Sequence, residues 1–442
     1  MRPTHNVQIV DTTLREGEQF AGAHFSSADR LAIAQALDEF GVEYIEMTSP
    51  AASPQSTRDL RAIAALPLRA RVLAHTRCTL DDVRLAADCG VRGVNLLFGT
   101  SELLRTYSHG RSLDLLLEEA TAAIRFLQER GLEVRFSCED AFRTPLPDLL
   151  AIYRAIDSLG VDRVGIADTV GIATPREVTA LVAAVRETVS CGIEFHGHND
   201  GGCAIANAYA AIEGGATHID TTILGIGERN GITPLSGLIA RLYLTDPTLV
   251  SRYNLSLLTA LDQMVARMVG VEVPFNACIT SATAFTHKAG LHTKAVLREP
   301  RTYEALDPGD FGRERSVLIG HRLAGRHALA HRAASLGLQL NGEAIAAVTA
   351  RLKALADRGP LTSEEVDAIL LAESGQAGET RFPGRGDAGH LVGQPARAVA
   401  LSTARGASDA NLIRTHSLSC RRPAGSRRRC HHRRRRSGHG SR

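Results

Sequence analysis

Short apolar segments recur over about the first 240 residues, with longer stretches between them whose apolar positions return at helical spacing. The apolar segments read VQIVDTT, YIEMTSP, RVLAHT, GVNLLFG, EVRFSCED, RVGIADT, IEFHGHN and HIDTTIL. Between them lie stretches such as DRLAIAQALDEFG (Asp29 to Gly41) and LDLLLEEATAAIRFLQERG (Leu113 to Gly131), with glycine where the helical pattern stops. Eight strand–helix units predict an α/β fold, a closed (β/α)8 TIM barrel in preference to a doubly wound open sheet.

Each predicted strand finishes on a polar group: Asp11, Thr48, His75, Asn95, Ser137, Thr169, His196 with His198, and Thr221. A barrel takes its reactive side chains from the C-terminal ends of several strands, whereas a sheet built only for packing has no use for so many. The catalytic barrel is therefore expected over residues 1–250. After Thr245 the pattern becomes mainly helical, and Thr362 with Glu365 forms a capping box ahead of VDAILLAES. A smaller helical domain is expected over 251–375, completing the active site.

Composition changes the picture in one place. From Gln376 onward fifteen arginines face three acidic residues, a balance of +12, so the rest of a +3 chain carries −9. Residues 376–442 cannot build an apolar core and are expected to be disordered. Phe382 is the one aromatic residue among these arginines, too few for a stacking platform, so a nucleic-acid partner is not expected and a neutral extension is favoured over a binding arm. No apolar run is long enough for a membrane span and the N-terminus has no signal-peptide core, which makes a cytoplasmic location the expectation. The eight cysteines include no CxxC pair, so neither a disulfide framework nor a thiolate zinc site is indicated. Of three lysines, two fall in HKAGLHTKA (His287 to Ala295), which draws attention to that segment.

The chemistry concentrates in EFHGHNDGG. His196 and His198 are two apart on a strand and so share a face. At the rim of a barrel that face opens on the central site, where two imidazoles suit a divalent metal; a hydrogen-bonded histidine pair is the other reading. A carboxylate completing the ligand set is available in DTTLREGEQF, from Asp11 or Glu16, and Arg15 beside it is a fixed cation suited to a developing oxyanion. A set of two histidines and one carboxylate, with open positions, admits Mn, Mg, Co or Zn. GIGERNG (Gly225 to Gly231) follows the last strand, where a glycine-rich loop either presents N–H groups to phosphates, through Gly225 and Gly227, or simply makes a tight rim turn.

LREGEQ with Arg30 beyond it, and HGHNDGG followed by CAIANA, resemble the two signatures of the α-isopropylmalate/homocitrate synthase family, the DRE-TIM metallolyases. The resemblance covers roughly residues 5 to 372, and FGVEYIEMTSPAASPQS, LLFGTS, ADTVGIATP and HKAGLHTKA are more similar to homocitrate synthases. It implies Glu16, His196 and His198 as metal ligands, Arg15 at the keto oxygen of a 2-oxo acid, and Thr169 at its C1 carboxylate. Arg135 and Ser137 would meet the distal anionic group, and His75 would line the pocket. The carbon nucleophile would come from acetyl-CoA as co-substrate, with His292 as proton acceptor, His287 close by and Tyr303 assisting. Delivery of His292 from the second domain of a partner subunit would make the protein a homodimer.

One position departs from that family. Homocitrate synthases of the lysine route usually carry Asp where this chain has Asn95, and the change removes a partner for lysine's ammonium group and a like-charge penalty for a more anionic substrate. Two activities are thus expected: condensation of acetyl-CoA with 2-oxoglutarate, or with phosphonopyruvate to give 2-phosphonomethylmalate in antibiotic biosynthesis. A non-catalytic barrel using the arginine tail on nucleic acid predicts a broken site, and the sequence offers an intact one.

Overall fold

The computed structural model describes residues 7–110 and 112–375; the arginine-rich segment for which disorder was expected lies outside them. Eight parallel strands close a barrel in sequence order. They are β1 Gln8–Asp11, β2 Tyr44–Met47, β3 Arg71–Arg77, β4 Gly93–Gly99, β5 Glu133–Glu139, β6 Arg163–Asp168, β7 Gly192–Gly197 and β8 His218–Thr221. A helix follows each: α1 Ser27–Phe40, α2 Pro54–Ala64, α3 Leu80–Ala87, α4 Leu113–Glu129, α5 Leu146–Asp157, α6 Pro175–Thr188, α7 Ala204–Gly214 and α8 Leu235–Thr245. Closure runs from Gln8 opposite His218 to Asp11 opposite Thr221.

The ends of these helices follow from local chemistry. Ser26 and Asp29 make a reciprocal capping box at the start of α1, and Gly41, in the left-handed region at φ 104°, terminates it. Thr174 and Glu177 do the same for α6, with Pro175 at its first turn. Apolar side chains on the outer face of the strands and the inner face of the helices form one core running from Val7 to Phe311. A second apolar cluster, Ile319 to Leu370, lies under α11 Arg326–Ser335, α12 Gly342–Ala356 and α13 Ser363–Glu373. Two further helices precede these in the chain, α9 Leu258–Val269 and the short α10 Gly290–Val296.

The inward face of the barrel departs from the usual filling of branched apolar side chains. Only Val10, Tyr44 and Leu73 form an apolar layer there. Other inward positions carry Glu46, His75, Asn95, Arg135, Arg163, Glu194 and Asp220, and the register sets His75, Asn95, Arg135 and Arg163 side by side across β3 to β6. Asn95 accordingly sits third of seven residues in β4, well inside the strand. Of the polar strand ends read in the sequence, His75, Ser137, Thr169, His196 and His198 face the lumen, whereas Asp11 and Thr221 bond to each other on the other face of the sheet.

Candidate active site

The loop after β1 brings the acidic ligand to the mouth. Leu14 is fully buried and its carbonyl accepts from Thr48 N, 3.0 Å away, beside β2, which pins the turn and projects Arg15 and Glu16 over the barrel axis. Asp11, the other carboxylate open to a ligand role, is spent elsewhere: it accepts from Thr13 N at 2.9 Å and Thr221 Oγ1 at 3.2 Å, and burial raises its carboxyl to about 6. Glu16 is held from the opposite side by the loop after β8, whose Glu228 N donates to Glu16 Oε1 at 2.8 Å. A Cβ on Gly227 would lie 2.8 Å from that same oxygen, so only glycine lets the loop come this close.

His196, last but one in β7, has its Nε2 3.3 Å from Nε2 of His198, just past the strand, and 3.9 Å from Glu16 Oε2. The three ligand atoms lie within 4.8 Å of one another, the sole cluster of this kind among the described residues. Two bonds of about 2.1 Å at a tetrahedral centre hold their ligand atoms about 3.4 Å apart, so the imidazole spacing fits a shared divalent ion. Both rings are held toward the neutral, ligating form: burial depresses His196 well below its ordinary value, helped by Arg15 and His198, and burial likewise lowers His198. Two imidazoles and a carboxylate around one point therefore fit the metal that the sequence pattern implies.

Below the ligands lies a layer of buried ion pairs. Arg15 donates to Glu16 Oε2 and to Glu46 Oε2, each at 2.6 Å, and stands 3.9 Å from Asp220. Glu46 also takes Asn95 Nδ2 at 2.6 Å and faces His75 Nδ1 at 3.2 Å. Burial alone would protonate Glu46; Arg15 and His75 outweigh it and hold the carboxyl well below the usual range. Arg135 lies 2.8 Å from Glu194, 3.5 Å from Asp220 and 3.9 Å from Glu46, with its Nε unpartnered. Burial, then repulsion from Glu194, raises Asp220 well above its ordinary value. Three guanidiniums, Arg15, Arg135 and Arg163, thus share the buried carboxyl groups of Glu46, Glu194 and Asp220.

A cavity of about 170 Å³ opens above this layer, lined by Arg15, Glu16, His75, Arg135, Ser137 and Thr169 with both histidines, and rimmed by Gln19, Glu139, Glu228 and Arg229. Arg229 bridges the rim by pairing with Asp200 at 2.9 Å and donating to the Thr169 carbonyl at 2.8 Å. Asn95 is fully buried beneath the cavity. His292 and Tyr303 are not brought to it: their rings stack 4.1 Å apart, on and near α10, away from the cavity lining. His287 is bound to Glu304 at 2.8 Å. Gly225 turns the β8 loop at φ 72°.

Glu46, Glu194, Arg163 and Asp220 lie within the strands, below the polar ends that mark the site in the sequence. Their signal was present as polar residues two apart, Glu194–His196–His198 and His218–Asp220 among them.

Comparison with known proteins agrees with this geometry. Residues 6–265 match the HMGL-like family and residues 279–360 match the homocitrate synthase post-HMGL domain-like family. The mitochondrial homocitrate synthase of Schizosaccharomyces pombe is 53% identical over 367 residues, spanning 83% of this chain and 88% of that protein. The chain belongs to the homocitrate synthase branch of the HMGL-like family. The cytosolic homocitrate synthase isozyme of Saccharomyces cerevisiae is 51% identical, over 83% of this chain and 86% of its own. A probable 2-isopropylmalate synthase of Methanopyrus kandleri is more distant, at 38% over 80% of this chain and 70% of its own. Among solved structures, the HMG-CoA lyase of Bacillus subtilis superposes with a TM-score of 0.57 at 20% identity, covering 62% of this chain and 97% of that one, a likeness of fold.

Proposed function

We propose that the chain is an acyltransferase that condenses acetyl-CoA with 2-oxoglutarate and hydrolyses the thioester, releasing homocitrate and free CoA. The observation that carries this reading is the convergence of Glu16, His196 and His198 at the head of a cavity whose floor holds Arg15 and Arg135. Its relatives at about half identity are homocitrate synthases, which favours 2-oxoglutarate over phosphonopyruvate. A divalent ion held by the three ligands would supply Lewis-acid polarisation of the keto group.

The protein's own groups do the rest. Arg15, kept cationic because Glu46, Glu16 and Asp220 outweigh the cost of its burial, stabilises negative charge on the keto oxygen as the carbon–carbon bond forms. Thr169 holds the C1 carboxylate; Arg135 and Ser137 hold the distal one, the guanidinium having an unpartnered Nε to offer. His75 closes the side of the pocket. His292 removes the methyl proton of acetyl-CoA, the resulting carbanion equivalent attacks the keto carbon, and the oxygen gains a proton to become the tertiary hydroxyl. Water then cleaves the thioester, giving the carboxylate and the CoA thiol. Because His292 and Tyr303 stand off the cavity of their own chain, the reading includes a homodimer in which each subunit lends this pair to its partner.

Thiol release by the purified, metal-loaded chain, with 2-oxoglutarate, oxaloacetate and phosphonopyruvate in parallel, tests the assignment. The largest kcat/KM belongs to 2-oxoglutarate; a far larger value for phosphonopyruvate overturns it.

A further inference from the structure

The two histidines of the metal centre are held differently. His198 Nδ1 is buried and has no hydrogen-bond partner, whereas His196 Nδ1 lies 2.9 Å from Asp220 Oδ2. Asp220 is fully buried, on β8, one strand over from the histidine it meets. It lies on the Nδ1 side of the ring, opposite the nitrogen that faces His198 and Glu16, and is not one of the three clustered ligands. The same Oδ2 also faces Arg135 at 3.5 Å and Arg15 at 3.9 Å, while Oδ1 is buried without a hydrogen-bond partner. A fully buried carboxyl group whose Oδ2 lies between two guanidiniums and the imidazole has little room to follow a moving ring, so the ring conforms to it.

We propose that Asp220 is the positioning residue of the metal centre: by accepting the Nδ1 proton of His196 it fixes that ring's tautomer and plane and leaves Nε2 as a lone-pair donor aimed at the ion. The inference rests on the metal-site reading above and adds to it an unequal division of labour, with His196 fixed in advance and His198 free to adjust. A ligating imidazole normally needs such an outer partner, and its loss lowers metal affinity without removing a ligand. The same carboxyl group spans to Arg15 and Arg135, so the ion, the oxyanion cation and the distal-carboxylate cation are registered against one side chain.

The test is metal affinity, measured by chelator competition on the folded full-length chain with Zn and with Mn alone. Asp220→Ala is expected to weaken binding about 10- to 100-fold. Asp220→Asn keeps an oxygen toward His196 and turns its amide toward Glu194, so it should restore affinity to within about threefold of the native chain. In a His196→Ala background, Asp220→Ala should cause no further loss, because its effect passes through that ring. Native affinity in Asp220→Ala, equal losses in the Ala and Asn variants, or an additive loss in the His196→Ala background each overturn the proposal. Should Asp220→Ala not fold, 15N spectra of the native, zinc-loaded chain decide: His196 is expected protonated at Nδ1 and metal-bound at Nε2, and the reverse overturns the proposal. If His196→Ala alone leaves affinity unchanged, the metal-site reading itself fails, which separates the two outcomes.

Discussion

Asn95 donates a hydrogen bond of 2.6 Å from its amide to Glu46, and both side chains are fully buried beneath the cavity at the barrel mouth. The resemblance implies Asp at this position, and the contact shows what the amide does in its place. Glu46 already takes Arg15, and the neutral amide adds a donor where a second carboxylate would add a repulsion.

Replacing Asn95 by Asp therefore sets two carboxylates within hydrogen-bond distance in a dry site. Such a pair cannot stay fully ionised, so Asn95→Asp is expected to destabilise the fold by about 1–3 kcal/mol at neutral pH. The sign with pH follows: a carboxyl forced above its unfolded value destabilises the fold only where it would be ionised, so the deficit shrinks as pH falls. Urea unfolding of both proteins at neutral pH and at pH 5 measures this. A deficit that grows on acidification contradicts it.

The approach of Gly227 to Glu16 gives a second expectation. A methyl group there meets the ligand oxygen at 2.8 Å, and the flexible carboxylate is what yields. Gly227→Ala should lower divalent-metal affinity at least tenfold while moving the melting temperature by only a few degrees. Equal affinity in the two proteins would show that the loop does not set the position of Glu16.

His292 is expected to act on the proton and not on the metal. His292→Ala should lower kcat by about 10²- to 10⁴-fold and leave metal affinity unchanged. Mixing His292→Ala subunits with Glu16→Gln subunits should restore turnover that neither variant has alone, since the mixed dimer holds one complete site only if His292 crosses between subunits. No recovery on mixing, with subunit exchange verified, would place His292 on its own chain's site.

Away from the site, Asp157 at the end of α5 accepts from Ser190 N and Cys191 N, both at 3.0 Å, and from Ser190 Oγ at 3.1 Å. Burial works against its ionised form, but these donors prevail and hold it below its ordinary value of 3.8. A depressed carboxyl contributes stability that is complete above the unfolded value and is lost as pH falls through the lower folded one. Asp157→Ala should cost about 1–2 kcal/mol at pH 7, and the difference from the native chain should narrow below about pH 4. A gap that is constant down to pH 3 contradicts it.

The barrel was legible because its helix and strand periods are distinct and its helices carry their stop signals in plain residues, Gly41 after Phe40 for one. His196, His198 and Glu16 were legible because their residue types have few uses so close together. Glu46, Arg163, Glu194 and Asp220 were not, because a buried charge is normally excluded and each is tolerated only by partners from other strands. Tyr44 and Glu46 on β2, alternating inward, were the visible trace of that lumen. The stacking of His292 on Tyr303 lay beyond the sequence for a different reason: nothing in a linear pattern says that a residue on a short helix and one beyond it will meet outside the cavity lining of their own barrel.

Anomalous diffraction from crystals soaked with manganese or zinc tests the central claim most directly. The account predicts one strong peak about 2.0–2.2 Å from a Glu16 carboxylate oxygen and from Nε2 of both His196 and His198. A map with no peak at that point, or with Glu16 turned away from a metal bound elsewhere, would contradict it.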